Sequence, residues 1–327
     1  MEIGKVHNNI LKRIVLNRIQ KNRNEVILRP GIGEDCSAVE FGDYACVLSS
    51  DPITGTVKEI GRLAVHISCN DIASCGVEPL GLLVTILCPP GATEQELEII
   101  MDQLISHAAS INVDILGGHT EITNAVTRFV INCTAVGRCL REKLIVTAGA
   151  QIGDSLVLTK HAGLEGASII AYEKEQDILK ALGYETVKEA KSYMDNLSVV
   201  KDGLTAAQFG VNAMHDVTEG GILGAVWEMC EASDNGAVVY LDQVPVAIST
   251  KRICEYYNIN PYKLISSGCM LISTGDGEGL VQYLEAAGIA ATVIGRLNET
   301  KQKVMITAGR AEPIHPPASD ELYKVIF

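Results

Sequence analysis

Four short stretches of the sequence join an acidic residue to small residues, a combination suited to binding cations and phosphates. A fifth stretch, LGGHTE at 116–121, has the same character. Taken singly, each is typical of a surface turn, because glycine and aspartate both favour turns. Their chemistry therefore depends on whether folding brings the acids together. The four stretches are GIGED at 31–35, SSD at 49–51, SCND at 68–71 and HDVTEGG at 215–221.

Asp71 is the acid whose surroundings are least typical of a turn. It lies in RLAVHISCNDIASCG, which is otherwise rich in alanine, isoleucine, valine and cysteine. Helical spacing places Asp71 on one face with Ala64, Val65 and Ser68. An acid on an apolar helix face needs a partner, so we expect either a metal ion or a hydrogen bond to a neighbouring loop.

Asp216 lies in a polar stretch directly before an apolar helix. Either Asp216 or Thr218 is suited to cap that helix, and the helix N-terminus above Gly220 and Gly221 would then face an anion. A simple N-cap explains only one of the polar residues in this stretch. It leaves the combination of histidine, acids, threonine and paired glycines unexplained.

Convergence of Asp35, Asp51, Asp71 and Asp216 would require cations. Two carboxylates 4 Å apart repel each other by roughly 4 kcal/mol at an effective dielectric constant near 20. Ligand sets made only of oxygen favour Mg²⁺ or Ca²⁺ over zinc, and Mg²⁺ is usually shared between carboxylates and substrate phosphates. Nearby glycines let the backbone approach such phosphates. The four acids thus indicate a magnesium–nucleotide site.

The composition is that of a globular protein, and it disfavours several classes of function. The chain has 327 residues, a net charge of −13 and 47% hydrophobic residues. Without a basic patch we expect no nucleic-acid partner, and without a long apolar run we expect no membrane span. The first residues lack an apolar segment, so we expect no signal peptide. None of the ten cysteines forms a Cys-x-x-Cys pair, which favours buried thiols in a cytoplasmic protein.

Alternating helix and strand patterns predict a mixed α/β chain of the α+β class with two domains, 1–148 and 149–327. In the first domain we expect strands over 44–50, 80–89 and 125–139 and helices over 57–76 and 93–112, the latter with a capping box from Thr93 to Glu96. In the second we expect strands over 155–159, 237–241, 269–274 and 290–296, and helices over 165–181, 184–209 and 219–233.

The ordered motifs resemble those of the AIR synthase superfamily over about residues 25–325. The segments that carry this resemblance are PGIGEDCSAV, SSDPIT, GRLAVHISCNDIASCG, LGGHTEI, GDSLVLTKHAGLEGASIIA and HDVTEGGILGAVWEM. Within the superfamily, the nearest resemblance is to the hydrogenase-maturation protein HypE. The resemblance implies a homodimer in which two N-terminal domains share a β-barrel, with ATP and Mg²⁺ bound near that interface. It also implies phosphoryl transfer from ATP to a carbonyl-type oxygen or another acceptor.

The resemblance further implies roles for individual residues. Asp35, Asp51, Asp71 and Asp216 match the metal-binding acids of the superfamily. Positions that match its nucleotide-binding residues are Asn70, Gly117, Gly118, Thr120, Thr159 and Gly220, and Lys160 is a candidate phosphate contact. His119 and His215 lie within motifs and are candidate acid–base residues, whereas His66 in its apolar helix is expected to be a core residue.

Several departures from the HypE pattern leave the acceptor open. The sequence ends in DELYKVIF and its last cysteine is Cys269, so the C-terminal cysteine that HypE modifies is expected to be absent. Glu121 stands where HypE carries a lysine, and Ser267 where it carries a glutamate. The motifs also fit selenophosphate synthetase and thiamine-monophosphate kinase only in part. The alternatives are a kinase of the thiamine-monophosphate type and a nucleotide-responsive binding or maturation protein without turnover.

Overall fold

The computed structural model describes residues 4–54, 58–317 and 319–326, and these form two β-sheets with helices packed against them. The first sheet has six strands in the spatial order β1-β2-β3-β6-β4-β5. All neighbouring pairs are antiparallel except β4 and β5, which are parallel. The strands are β1 (Val26–Leu28), β2 (Ser37–Phe41), β3 (Tyr44–Ile53), β4 (Pro79–Cys88), β5 (Asp114–Ile122) and β6 (Val130–Leu140).

Three helices belong to this half of the chain: α1 (Asn8–Ile14), α2 (Ile60–Ser74) and α3 (Glu94–Ser110). Helix α2 is buried along nearly its whole length, because it packs against β3, β6 and α3. Helix α3 has the expected capping box, in which Thr93 Oγ1 accepts from the Glu96 N–H and the Glu96 side chain accepts from the Thr93 N–H. The sheet therefore has one face covered by helices.

The first sheet also exposes large apolar side chains that no described element covers. Leu80 and Leu83 on β4 and Leu116 and Ile122 on β5 are 49%, 46%, 55% and 71% exposed. Strand β5 is an edge strand, so its outer backbone groups are unpaired as well. We call these four side chains and strand β5 the open edge of the first sheet.

The second sheet has seven strands in the order β13-β12-β9-β11-β7-β10-β8. Its neighbours are antiparallel except β12 and β9, which are parallel. Strands β7 and β10 are fully buried, so they form the centre of the C-terminal half. The strands are β7 (Ser155–Thr159), β8 (Ala213–Asp216), β9 (Gly236–Tyr240), β10 (Met270–Thr274), β11 (Ala291–Asn298), β12 (Lys303–Thr307) and β13 (Arg310–Pro313).

Eight helices belong to the C-terminal half of the chain. Helix α8 is apolar and buried, and it packs against β8, β9 and β10. Helix α7 packs against β10 and also against α2, so it joins the two halves of the molecule. The helices are α4 (Leu164–Glu173), α5 (Glu175–Leu182), α6 (Tyr184–Ser192), α7 (Val200–Phe209), α8 (Gly221–Ser233), α9 (Ile248–Tyr257), α10 (Gly277–Ala286) and α11 (Tyr323–Ile326).

The mixed α/β class agrees with the sequence analysis, and residue 148 lies between β6 and β7. Two expected helices are interrupted. The helix expected over 165–181 is split at Lys174, and that over 184–209 gives way to a 3-10 turn over Tyr193–Asn196 before α7 begins. Part of the helix expected over 57–76 falls on residue 57, outside the described residues. Strand β6 begins at Val130 rather than 125.

The ten cysteines are free thiols, and eight of them are buried, as expected for small apolar core residues. Among the described residues no helix combines the length and apolar character that a membrane span requires.

Candidate functional site

The structure gathers Asp35, Asp51, Asp71 and Asp216 around one cavity of about 1170 Å³ between the two halves of the chain. Each acid comes from a different element: the turn before β2, strand β3, helix α2 and the end of strand β8. This volume is at the upper end of what small-molecule sites provide, roughly 300–1,000 Å³. The cavity is therefore large enough for a nucleotide and a second ligand.

Asp71 is held in the cavity by its helix and by a serine. Its side chain is 4% exposed, and the Ser49 hydroxyl donates to its Oδ2. Burial raises the pKa of Asp71 well above its usual value, and the charges of Asp216 and Asp51 raise it further. In the absence of a cation this carboxyl group is thus driven toward its neutral form.

Asp216 is even more deeply buried than Asp71, and its carboxylate has fewer hydrogen-bond partners. It is 1% exposed, and its Oδ2 is buried with no hydrogen-bond partner among the described residues. Burial and the charge of Asp35 raise its pKa well above the usual value, although His215 opposes them. A buried carboxylate oxygen without a partner and several nearby acids are the features that a divalent cation would satisfy. The donor set consequently fits Mg²⁺.

His215 is an organising residue of this cavity. Its Nδ1 lies 2.7 Å from Asp35 Oδ2 and its Nε2 lies 3.3 Å from Glu228 Oε2. Burial lowers the pKa of His215, but the two carboxylates outweigh burial and bring the pKa well above its usual value. With both ring nitrogens occupied, His215 positions Asp35 and is not free to exchange protons with a ligand. Ligand atoms of Asp35, His215 and Asp216 all lie within 4.8 Å of one another.

Glu228 connects this cluster to the N-terminal segment. Its Oε1 accepts a hydrogen bond from Lys5 Nζ at 2.9 Å, and Glu219 Oε2 accepts from the Lys5 backbone N–H at 2.8 Å. Burial raises the pKa of Glu228, but His215 and Lys5 lower it to about 2. Glu228 is accordingly a fixed anion.

The glycine turn before β2 is required by close packing. Gly33 has a φ of 78°, and a Cβ at this position would lie 2.6 Å from the backbone oxygen of Glu228. The neighbouring Glu34 side chain accepts from the backbone N–H groups of Thr147 and Ala148. The turn thus fixes Asp35 against helix α8 and against the segment between the two sheets.

Four of the expected nucleotide positions have other partners in this chain. Asn70 is fully buried and bonds to Leu197 O and the Val199 N–H, which attaches α2 to the segment before α7. Thr159 Oγ1 accepts from the Met270 N–H within the second sheet. Neither Asn70 nor Thr159 is among the residues that line the cavity with the four acids.

Lys160 and Gly220 also have protein partners. Lys160 Nζ contacts Asp202 Oδ1 at 2.9 Å and donates to the carbonyls of Ser198 and Gly268, outside the acidic cavity. The Gly220 N–H donates to Asp320 Oδ2 at 2.7 Å. This contact occupies a group that was expected to face an anion.

The motif at 117–120 does not reach the cavity within one chain. Gly117, Gly118, His119 and Thr120 lie on edge strand β5 and are exposed. His119 Nε2 lies 3.2 Å from Glu121 Oε2 at the surface. The structure thus separates the two candidate acid–base histidines, with His215 in the cavity and His119 on the open edge.

Lys5, Glu165 and Glu228 are among the cavity residues that sequence reasoning missed. Glu228 interrupts the apolar run ILGAVWEM, which is the signal that identified Asp71, and it was available in the sequence. Glu165 likewise lies between small and apolar residues at the start of α4. Lys5 has no such signal, because the segment that precedes α1 shows no periodic pattern.

Comparison with known proteins agrees with this architecture. Residues 33–139 match the AIR synthase related protein, N-terminal domain, and residues 151–307 match the AIR synthase related protein, C-terminal domain. A putative hydrogenase expression/formation protein of Methanocaldococcus jannaschii is 27% identical over 316 residues, covering 93% of this chain and 91% of that protein.

Two solved structures show the same fold. A chain of the HypE–HypF complex superimposes with a TM-score of 0.77 at 21% identity, covering 94% of this chain and 99% of that chain. The hydrogenase maturation protein HypE in complex with ATP gives a TM-score of 0.70 at 20% identity, covering 85% and 86% of the two chains. Since the two domain matches together span most of the sequence, the chain is a HypE-related member of the AIR synthase related proteins.

Proposed function

We propose that this protein binds ATP with Mg²⁺ in the acidic cavity and transfers the γ-phosphate to a carbonyl-type or other small acceptor. The observation that carries this proposal is the convergence of four carboxylates from four elements on one cavity. Such a cluster is unstable without cations, and Mg²⁺ shared between acids and phosphates relieves the repulsion. The solved complex of a similarly folded HypE with ATP supports the choice of nucleotide.

We assign each cavity residue a role according to its burial and its hydrogen-bond partners. Asp71 and Asp216, which are buried and lack cationic partners among the described residues, would hold Mg²⁺ together with Asp35 and Asp51. Bound Mg²⁺ would neutralise phosphate charge during transfer. His215, fixed by Glu228, would keep Asp35 oriented toward the metal, a supporting role common around metal sites.

We further propose a homodimer formed through the open edge of the first sheet. An edge strand and four exposed apolar side chains together make a surface that a second chain can cover. The motif at 117–120 lies on this surface, so pairing would bring its glycines, His119 and Thr120 to the interface. The superfamily resemblance, in which ATP lies near a shared barrel, supports a role of this motif in the partner's nucleotide site.

The alternative to an enzyme is a nucleotide-responsive binding or maturation protein without turnover. The two differ in whether an acceptor is phosphorylated. The HypE pattern has a lysine at the position of Glu121 and a glutamate at the position of Ser267. These two differences in charge favour an acceptor different from that of HypE. Formation of ADP on addition of candidate acceptors distinguishes an enzyme from a binding protein.

The test of the proposal is calorimetric titration with ATP, with and without Mg²⁺. Asp71→Asn should abolish Mg²⁺-dependent binding while preserving the fold, because asparagine resembles the neutral carboxyl group favoured in the empty cavity. Asp102→Asn on the exposed surface of α3 is the matched control and should bind as the wild type does. Absence of ATP binding by the wild type at millimolar concentration would refute the proposed function.

A further inference from the structure

Glu165 is a buried acid of the cavity that neither the metal site nor the fold accounts for. It lies in the first turn of α4, is 2% exposed, and lines the same cavity as the four aspartates. Its Oε2 accepts one hydrogen bond, from the Ser267 backbone N–H at 3.2 Å. Among the described residues, no cation lies within ion-pair distance of its carboxylate.

Two other buried acids nearby show why this is unusual. Glu228 is paired with His215 and Lys5, so its charge is satisfied. Asp320 accepts from the backbone N–H groups of Gly220, Ile265 and Leu322, so it has a structural role. Glu165 has neither a cation nor a set of backbone donors, and its cost of burial is not recovered within the fold.

The groups around Glu165 favour proton exchange by its carboxyl group. Burial raises the pKa of Glu165 to about 7, with Asp320 and Glu219 adding to the rise and hydrogen bonding by Ser267 opposing it. Tyr323 is the further titratable group that interacts with Glu165, and its hydroxyl donates to Glu219. A carboxyl group that changes state near neutral pH is suited to accept a proton.

The wall around Glu165 differs from the acidic wall. Ile169, Ile265 and Leu322 line the cavity on this side, and Ser267 is fully buried with a hydroxyl that makes no hydrogen bond of good geometry among the described residues. Over the whole cavity, the described lining residues include eight carboxylates and two cationic side chains. This composition disfavours an anionic acceptor and suits an uncharged one with a polar group directed at Glu165 and Ser267.

We propose that Glu165 is the catalytic base for an uncharged acceptor that carries a hydroxyl or carboxamide group. This inference rests on the proposed function. The acceptor oxygen forms a bond to the γ-phosphorus of ATP, and the bond from that phosphorus to the bridging oxygen breaks, its electron pair leaving with ADP. The acceptor gives up one proton, from its hydroxyl or its amide nitrogen, to the Glu165 carboxylate. The products are the phosphorylated acceptor, ADP and protonated Glu165.

The test compares Glu165→Gln and Glu165→Asp with Glu189→Gln, a control on α6 whose carboxylate bonds to Ser249 and Tyr193 outside the cavity. The assay uses MgATP with water as the acceptor, since a base that faces the cavity acts on water too, and records ADP formation from pH 5.5 to 8.5. Calorimetry on the same proteins measures ATP affinity separately.

We expect wild-type turnover to rise with pH through a pKa near 7. Glu165→Gln should lower turnover by about 10²–10⁴-fold and remove that rise, while ATP affinity changes less than about twofold. Glu165→Asp, which keeps a carboxylate, should recover part of the rate, and Glu189→Gln should match the wild type.

Two results would overturn the inference and leave ATP binding intact: wild-type turnover in Glu165→Gln, or ATP binding by the wild type with no ADP formation at any pH. Failure of the wild type to bind ATP would instead remove the proposed function, and this inference with it.

Discussion

Glu165 and Glu228 lie in one cavity, yet their neighbours shift the pKa values of the two carboxyl groups in opposite directions. His215 and Lys5 lower the pKa of Glu228 to about 2, whereas burial without a cation raises the pKa of Glu165 to about 7. Residue type and burial are the same at the two positions. The difference arises from the partners alone, and it separates a structural anion from a candidate proton acceptor.

The first prediction is that Glu165→Gln changes how stability depends on pH. The folded protein holds the Glu165 proton up to about pH 7, whereas the unfolded chain releases it near pH 4.3, so wild-type stability falls as pH rises between these values. The variant lacks this slope. Without nucleotide or metal, its free energy of unfolding should exceed that of the wild type by up to about 3 kcal/mol at pH 8 and by little at pH 4. Urea denaturation across this range measures the difference, and parallel curves would contradict the raised pKa.

A second prediction concerns the ion pairs of Glu228. Glu228→Gln removes the anion that faces buried His215, and losing one partner of a buried pair costs about 3 kcal/mol of unfolding free energy at pH 7. Lys5 is 43% exposed, so Lys5→Met should cost less than about 1 kcal/mol. Chemical denaturation of the two variants provides the comparison. Equal losses would mean that Lys5, rather than His215, holds Glu228.

The acids that stand in apolar surroundings could be picked out from the sequence, whereas the side-chain direction of neighbouring polar residues depends on tertiary packing. Asp71 stood out because its helix was otherwise apolar, and the structure brings it together with three other predicted acids. Asn70 is adjacent in sequence, but its amide is turned toward the segment before α7. No local pattern states which of two neighbouring polar residues faces a cavity, since that depends on the element packed against each face.

At the element scale, helix α2 is the part on which the site depends, because it carries Asp71 and packs against both halves of the molecule. Helix α7 approaches it so closely that a Cβ at Gly203 would lie 2.3 Å from the Ala73 backbone oxygen. Small residues therefore set the distance between these helices.

The third prediction is that Gly203→Ala forces α2 and α7 apart. We expect a loss of about 1–3 kcal/mol in the free energy of unfolding and weaker Mg²⁺-dependent ATP binding, because Asp71 moves with α2. Gly275→Ala is the control, since Gly275 is exposed and its Cβ would meet nothing closer than 4.0 Å. Thermal unfolding and calorimetry report the two effects. A Gly203→Ala variant as stable as the control would mean that the helices yield without cost.

Elements with strong periodic patterns were predictable, and those defined by tertiary pairing were not. Helix α3 and strand β7 match their predicted positions closely, since capping residues and a buried apolar run mark them. Strand β5 was missed because its residues are nearly all exposed and two glycines interrupt it. Its extended form comes from pairing with β4, which the sequence of β5 does not reveal.

At the scale of the whole molecule, the two faces of the first sheet are unequal. Helices cover one face, while the open edge presents β5 and large apolar side chains to solvent. Monomeric proteins rarely leave an unpaired edge strand beside such a group of side chains, because edges of this kind attract other chains. The proposed dimer would cover both the unpaired edge strand and the exposed apolar side chains, and it would bring the motif at 117–120 beside a second chain.

The fourth prediction follows from this asymmetry: Leu116→Asp or Ile122→Asp should convert the proposed dimer to a monomer. A carboxylate at either position would be buried without a partner in the interface, which costs several kcal/mol and far outweighs a surface change. Ile248→Asp on α9 is the control, because Ile248 is 65% exposed but lies in the C-terminal half. Sedimentation velocity measures the assembly, and calorimetry of the same variants tests whether nucleotide binding depends on it.

Loss of both dimer and ATP affinity would indicate that the exposed motif completes a partner's site, whereas a monomer that binds ATP as tightly as the wild type would assign the nucleotide to one chain alone. A wild type that sediments as a monomer would contradict the proposed dimer itself.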